Sequence, residues 1–340
     1  MSQPPVLITG VAGFIGSNLA DRLLSDGYRV IGVDDLSAGV IEQVPEGVEF
    51  HRCDVRSPAI EALVPAGGVV FHLAAKNCIA DCQADPVETT SVNVLGTVMV
   101  LEAARRAGAA KVVYAESSAI YEGSPRLPSP ETEAAPESFY AVSKHAGHEF
   151  ARAYARHHGM AVTGLRYFCV YGPRQDYRRT IPPVMSAFIL KLLRGERPTI
   201  YGTGEKRRDF VYVDDVNRFH LQCMTDERTD CLVFNVGSGR SHSVREIFDE
   251  IQARLGSDLE PVHEPDLPAE AQETLADISA ARSVGWEPLI ELGEGLDRSI
   301  RYIRDQVVGR SAPAAAPGPS APGPSAPGPT IPGRTGAEAS

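Results

Sequence analysis

The sequence is poor in every feature that would place it on a nucleic acid, in a membrane or in an oxidising compartment. Basic residues are outnumbered, 33 Lys and Arg against 44 Asp and Glu, giving a net charge of −11 over 340 residues. That balance repels phosphate backbones and argues against a nucleic-acid partner, while leaving room for a local cationic pocket. No apolar run approaches the roughly 18–20 residues that a membrane-spanning helix needs. The opening Met-Ser-Gln-Pro-Pro lacks the basic and apolar regions of a secretory leader, so the cytoplasm is the expected compartment. The cysteines (Cys53, Cys78, Cys82, Cys169, Cys223, Cys231) are scattered. Cys78 and Cys82 are close, but no His or Cys pair nearby completes a zinc set, so free thiols and no metal are expected.

What is present is ordinary globular composition, 43% hydrophobic and 23% charged, enough for one large domain or two intimate ones. Strand-like and helix-like segments alternate through the first half. Strands are expected at Val6–Thr9, Arg29–Val33, Val69–Leu73, Lys111–Ala115 and Ala161–Tyr167, and helices at Phe14–Asp26, Val94–Arg106 and Tyr140–His157. Such βα repetition predicts an α/β fold, a doubly wound parallel sheet covered on both faces. After Tyr171 the rhythm changes, with short helices at Val184–Arg194 and Val244–Arg254 suggesting a smaller mixed α/β lobe. The chain is expected back in the main sheet near Phe210–Val216 and Val233–Val236. The division that follows is 1–169 with about 209–235 for the sheet domain, and 170–208 with 236–308 for the lobe. Residues 309–340, rich in Pro, Ala and Gly without apolar periodicity, are expected to be a disordered tail.

Three motifs carry chemistry. In V-L-I-T-G-V-A-G-F-I-G, glycines 10, 13 and 16 sit between a strand and a helix. Gly10 permits a tight turn, Gly13 a close approach of backbone to pyrophosphate, and Gly16 close packing of the helix. The second strand ends in Asp34 and Asp35. A carboxylate at Asp34 suits ribose hydroxyls and repels a 2′-phosphate, so NAD is expected rather than NADP; Asp35 also reads as a solvated strand-end acid. Finally, Tyr140 and Lys144 in Y-A-V-S-K stand one turn apart on one helix face. An ammonium beside the phenol, with a positive nicotinamide ring, favours the phenolate. The strand K-V-V-Y-A-E-S-S supplies Ser117 or Ser118 to orient a substrate hydroxyl toward Tyr140.

With these motifs the chain resembles the extended short-chain dehydrogenase/reductases that act on nucleotide sugars, nearest to the UDP-sugar 4-epimerases. The resemblance covers roughly residues 5–305. It rests on T-G-V-A-G-F-I-G, V-D-D-L-S-A-G, C-D-V, F-H-L-A-A, N-V-L-G-T, S-S-A-I-Y, Y-A-V-S-K, R-Y-F-C-V-Y-G-P-R-Q and G-E-K-R-R-D-F-V-Y-V-D-D-V, in the family's order and spacing. It implies that Phe14, Ile15, Asp34 and Ser37 hold the adenosine and pyrophosphate side. It implies further that Asp54 and Val55 meet the adenine, that Leu73, Ala74, Ala75 and Asn93 line the cofactor channel, and that Phe168 lies near the nicotinamide. The catalytic hydroxyl is matched to Ser117, with Ser118 its neighbour. Tyr201 is implied to stack on the base, Thr180 to lie on the substrate wall and Arg208 to clamp the diphosphate, as a guanidinium does bidentately. Thr274 matches a position that in the family helps decide whether a bulky 2-acetamido group fits, and a small Thr is implied to admit it. A homodimer through the helices at Val94–Arg106 and Tyr140–His157 is implied as well.

The chain departs from the pattern in three places. Cys169 stands where Asn is usual, Leu267-Pro268-Ala269-Glu270 keeps an acid but loses an arginine, and Glu122 follows Tyr121 where Gly is common. The residues after Ser117 are Ser118 and Ala119, so the acid of a dehydratase is missing there. Glu116 precedes Ser117 and strand alternation turns it to the opposite face. The expected function is therefore an NAD-dependent C4 epimerase acting on a nucleotide sugar, most simply a UDP-linked one, through a 4-keto sugar. A dehydratase, decarboxylase or reductase on the same fold, or a non-catalytic NAD-binding sensor, are the alternatives. Arg178 and Arg179 read either as a grip on a sugar carboxylate or as a solvated basic loop, and His145, His148, His157 and His158 as surface or interface residues.

Overall fold

The computed structural model describes residues 3–179, 181–266 and 271–309. The expectations for Thr180, Glu270 with its neighbours 267–269, and 310–340 lie outside the described residues.

The first half builds a parallel sheet from short apolar strands. In chain order come β1 (Val6–Thr9), α1 (Phe14–Ser25), β2 (Val30–Asp34), β3 (Glu49–Arg52) and β4 (Val69–His72). Two short helices follow, α2 (Ile79–Ala84) and α3 (Pro86–Thr90), before α4 (Gly96–Ala107), β5 (Lys111–Ser117), α5 (Phe139–His158) and β6 (Val162–Tyr167). The second half adds β7 (Cys169–Tyr171), α6 (Val184–Leu193), β8 (Thr199–Tyr201), β9 (Arg207–Tyr212), α7 (Val213–Thr225) and β10 (Val233–Val236). It ends with β11 (Ser241–Ser243), α8 (Val244–Leu255), β12 (Val262–Glu264), α9 (Ser279–Ser283) and α10 (Leu292–Tyr302).

The main sheet runs β10-β6-β5-β4-β1-β2-β3, every pair parallel. Strand alternation divides its apolar residues between two cores. Val6 and Ile8 of β1 face Leu19 and Leu23 of α1, Phe219 of α7 and Trp286, whereas Leu7 faces Val100, Leu101 and Ala104 of α4. Both faces being covered explains the uninterrupted apolar strands, and the fold is Rossmann-type, doubly wound. Strand order reverses between β1 and β4, and the crevice at that switch point is where such sheets take ligands.

A separate core lies in the second half. Phe188, Ile189 and Leu192 of α6 pack on Ile247, Phe248 and Ile251 of α8 and on Leu296 and Ile300 of α10. Val233–Val236 joins the main sheet beside β6 as expected, but Phe210–Val216 does not. Its strand, β9, pairs instead with β7 and β11 in a three-stranded sheet, and from Val213 the chain is helical. The motif D-F-V-Y-V-D-D reads locally as a buried strand, and its acids decide otherwise. Asp209, fully buried, accepts hydrogen bonds from Ser238 N, Gly239 N and Ala276 N at 2.6, 3.0 and 3.0 Å, tying β9 to the loop after β10 and to the segment before α9. Asp214 and Asp215 lie in the first turn of α7, where acids favour a helix start. Asp215 accepts from Leu289 N and Ile290 N, both at 2.9 Å.

Trp286, the sole tryptophan, stacks on Phe219 with ring centroids 4.8 Å apart and donates its indole N–H to Asp215 O at 3.1 Å. Trp286→Ala is expected to cost about 3–5 kcal/mol, read as a lowered urea midpoint by circular dichroism. An unchanged midpoint would mean that this contact does not hold α7 to the sheet.

Candidate active site

The glycine-rich turn links β1 to α1 at the switch point. Gly10 has φ +76°, and a Cβ there would lie 2.8 Å from Ala74 N, so only glycine lets the turn and the loop after β4 approach this closely. A Cβ at Gly16 would collide with the carbonyl oxygen of Gly10. Gly13 caps α1 without any side-chain hydrogen bond, and the first turn carries no acid. Its amides thus form an uncompensated positive helix end, with Phe14 and Ile15 half-buried beside it.

Asp34 is buried at the end of β2. Its two oxygens accept Ala12 N at 3.0 Å and Leu36 N at 2.9 Å, aiming the carboxylate across the turn with lone pairs to spare. Burial raises its pKa, and the two backbone amides pull it back. Asp35 has a different job: its Oδ1 accepts Ser37 N at 2.8 Å, closing the exposed loop on which Ser37 sits. Further along, Asp54 is held by Arg56, with Nε 3.0 Å from Oδ1, and Val55 is buried under α4. Leu73, Ala74 and Ala75 follow β4. Asn93 fixes the end of that loop, accepting from Lys76 N at 2.8 Å and donating to Ser143 Oγ of α5 at 2.9 Å. Phe168 follows β6, buried against Tyr121.

The catalytic candidates converge on the same rim. Ser117 ends β5, and α5 crosses it starting from its cap Ser138, whose Oγ accepts Ala141 N at 3.1 Å. Glu122, the departure after Tyr121, has a structural reason: it accepts from Ser138 N at 2.8 Å and from Ser138 Oγ at 3.0 Å, anchoring the start of α5. Tyr140 follows one turn before Lys144. Burial raises the Tyr140 phenol pKa; the Ser117 hydroxyl is the largest influence lowering it, followed by Arg179. Lys144 is buried one turn further along α5, its Nζ 4.5 Å from the Tyr114 ring centroid.

Arg179 is the residue that sequence reasoning undervalued. Arg178 is exposed, as a solvated loop would have it, but Arg179 is half-buried and donates to Asn77 Oδ1 at 3.3 Å. The two arginines, Ile181, Cys78, Ala80 and Asp81 line a cavity of about 300 Å³. The signal available was the Arg-Arg pair just beyond Y-G-P-R-Q. Elsewhere the lobe places Tyr201 at the end of β8 and Arg208 on β9, both half-buried, the latter donating Nη1 to Arg207 O at 2.8 Å. Ser118 opens the turn after β5 and Cys169 starts β7. Thr274 accepts Asp209 N at 3.3 Å through Oγ1. Of the four histidines, His157 and His158 are exposed, but His148 is buried on the face of α5 that packs on Glu116 of β5, correcting its reading as a surface or interface residue. The cysteines are free, and no group of metal-ligating side chains occurs among the described residues.

A family model described as "NAD dependent epimerase/dehydratase family" matches residues 6–237. The chain belongs to that family. The UDP-glucose 4-epimerase of Mycolicibacterium smegmatis is 36% identical over 310 residues, 88% of this chain and 98% of the relative. The UDP-glucuronic acid decarboxylase 1 of Xenopus tropicalis is 30% identical over 312 residues, 89% of this chain and 72% of the relative. The crystal structure of UDP-glucose 4-epimerase from Thermotoga maritima with UDP-glucose superposes with a TM-score of 0.85 at 36% identity, covering 89% of this chain and 99% of that one.

In an NAD-dependent family the glycine turn has a dinucleotide to fit, and its side-chain-free wall and open helix end suit a pyrophosphate. Gly13 has φ −82° and ψ 175°, which any residue adopts, and a Cβ there would lie 3.2 Å from Gly10 O, so alanine needs a shift of a few tenths of an ångström in the turn. Gly13→Ala is expected to keep the circular dichroism spectrum while weakening NAD retention about tenfold or more, some 1.4 kcal/mol. Retention equal to the parent protein would remove the turn from the cofactor site.

Proposed function

We propose that this chain is a nucleotide-sugar C4 epimerase that works with bound NAD through a transient 4-keto sugar. The observation that carries this reading is the convergence of Ser117, Tyr140 and Lys144 on one rim, with Ser118 and Ala119 next along the chain. Elimination of water needs an acid at that point, and a hydroxyl and a methyl stand there instead.

The seven-stranded half serves the cofactor and the lobe around α6, α8 and α10 serves the sugar nucleotide. Gly10, Gly13 and Gly16 cradle the pyrophosphate, and Asp34 takes the ribose hydroxyls and excludes a 2′-phosphate. NAD, when bound, supplies hydride acceptance and return at the sugar carbon, and its positive ring helps to ionise the phenol. Tyr140 removes the C4 hydroxyl proton, Ser117 orients that hydroxyl, and Lys144 holds the nicotinamide ribose. Arg208 grips the diphosphate and Tyr201 faces the base, so the keto sugar turns over about an anchored tail. Tyr140 then returns the proton to the opposite-facing oxygen, and C4 is inverted. A uronate substrate is a second reading, favoured by the half-buried Arg179 whose charge acts on Tyr140.

Tyr140→Phe should lower kcat about 10²–10⁴-fold while the purified protein keeps its NAD. Turnover of UDP-glucose, UDP-N-acetylglucosamine and UDP-glucuronate by the unaltered protein tests the activity itself. Absence of a C4 epimer from all three would overturn the reading, and release of carbon dioxide from the last would replace it with decarboxylation.

The assembly follows from one face of the helical layer. Leu95, Val142 and Phe150 are large apolar side chains left 50, 47 and 42% exposed just before α4 and along α5. A second copy of the chain covers them in a homodimer. Sedimentation equilibrium is expected to give twice the chain mass, and Phe150→Glu to shift it toward one; a parent protein that stays monomeric at every concentration would refute the contact.

A further inference from the structure

The residue before Ser117 carries a carboxyl that the reaction leaves unused. Glu116 is 1% exposed. Its Oε2 accepts from Arg166 Nε at 2.8 Å across β5 and β6, where the two residues are in register. Among the described residues its Oε1 has no hydrogen-bond donor. Tyr114 lies two residues back and therefore on the same face of β5. Helix α5 covers both. Lys144 Nζ stands 4.5 Å from the Tyr114 ring centroid, and His148, one turn further along α5, places Nδ1 3.7 Å from Glu116 Oε2. Lys144 and His148 are thus laid in order over Tyr114 and Glu116. Among the described residues no carboxylate reaches the Lys144 ammonium within ion-pair distance, and Lys144 is 3% exposed.

We propose that Glu116 is a positioning residue for the Tyr140/Lys144 pair: its carboxylate, held in place by Arg166, keeps Lys144 an ammonium in a site shielded from water. The inference rests on Lys144 being the cation of the catalytic set. Burial pushes Lys144 down to about 8, and Glu116 is the largest influence opposing that, with Cys82 second. Glu116 is itself pushed up to about 7 by burial, opposed by Arg166 and then Lys144. The groups facing it are Arg166 from β6, Lys144, His148 and Glu149 from α5, Tyr114 from its own strand, and Tyr121, which Arg166 also contacts at 2.8 Å. His148 is pushed down to about 4 by burial, so it is neutral where the reaction runs and brings no competing charge.

The sign follows. Above about 7 Glu116 is an anion and raises the pH at which Lys144 gives up its proton. Without that anion Lys144 deprotonates earlier, and the cation beside Tyr140 is lost at lower pH. The decisive measurement is the titration of Lys144 by NMR in NAD-loaded protein carrying ¹⁵Nζ-lysine, with the signal assigned by its loss in Lys144→Arg. Glu116→Gln is expected to lower the Lys144 midpoint by about one pH unit, and Glu116→Asp, which restores the charge, to recover most of it. The same midpoint in Glu116→Gln and the parent protein would overturn the proposal. Should Glu116→Gln fail to retain NAD, the parent protein decides alone: its Lys144 signal must show a second inflection near 7 from Glu116, and a single inflection refutes the coupling. With a nucleotide sugar that turns over, the alkaline limb of kcat/KM moves down by the same interval in Glu116→Gln. A shifted Lys144 with no C4 epimerisation of any sugar would sink the proposed reaction and leave this inference standing.

Discussion

The close approach of α5 to β5 is the constraint on which the site depends. A Cβ at Gly147 would collide with the Tyr114 hydroxyl, so the helix lies against the strand only because no side chain intervenes. The Tyr114 hydroxyl uses that closeness to donate to Lys144 O at 3.1 Å, one turn earlier on the same helix. One strand end and one helix start are thereby fixed relative to each other, which sets the distance between Ser117 and Tyr140. Shifting the helix outward by the width of a methyl would separate a hydroxyl from a phenol that, in the proposed mechanism, share one substrate oxygen, and proton transfer falls steeply with such misplacement.

A buried polar chain extends this fixing to the cofactor side. Thr97 Oγ1 donates to Asn93 O at 2.6 Å, so it accepts from His72 Nε2 at 3.0 Å; His72 Nδ1 must then accept from Thr9 Oγ1 at 2.8 Å. Thr9 in turn accepts Ala74 N at 3.2 Å. Burial pushes His72 down to about 3, so it stays neutral and the direction of the chain cannot reverse by protonation. Asn93 then passes the connection to Ser143 on α5. The turn at Gly10, the loop after β4 and the helix bearing Tyr140 are therefore one hydrogen-bonded body, and a buried network of this kind is costly to leave partly satisfied.

Much of this was legible in the sequence because it is local. The glycine spacing, the acid at the end of β2 and the turn-length separation of Tyr140 and Lys144 are all written within a few residues, and Val6–Thr9 was read to its ends. What escaped depends on pairings remote in sequence. The strand Arg207–Tyr212 has the apolar pattern of a main-sheet strand, and only the bonds of Asp209 to residues 238, 239 and 276 reveal where it docks. His148 reads as one of a polar group on a surface helix until Glu116 appears beneath it. Arg179 sits in a loop with no periodicity, and nothing local says that the loop folds back toward Tyr140. The strand Glu49–Arg52 was missed for the opposite reason: it is a sheet edge, polar and partly exposed, without the apolar run that marked its neighbours.

The division of labour follows from the same contrast. Ser117, Tyr140 and Lys144 are placed by backbone closeness and by a buried network, which leave them little freedom. On the proposed function, choice of sugar falls to the lobe and to loops such as the one with Arg179. A chain of net charge −11 must gather local cations to take an anionic nucleotide sugar at all, and Arg208 and Arg179 lie on β9 and on the loop beyond β7, apart from the sheet that orders the reaction. On the proposed function, Arg208 meets what such substrates share, the diphosphate, and Arg179 what distinguishes them at the sugar. On that reading, selectivity can change through Arg179 and its cavity without disturbing the packing of Gly147 on Tyr114.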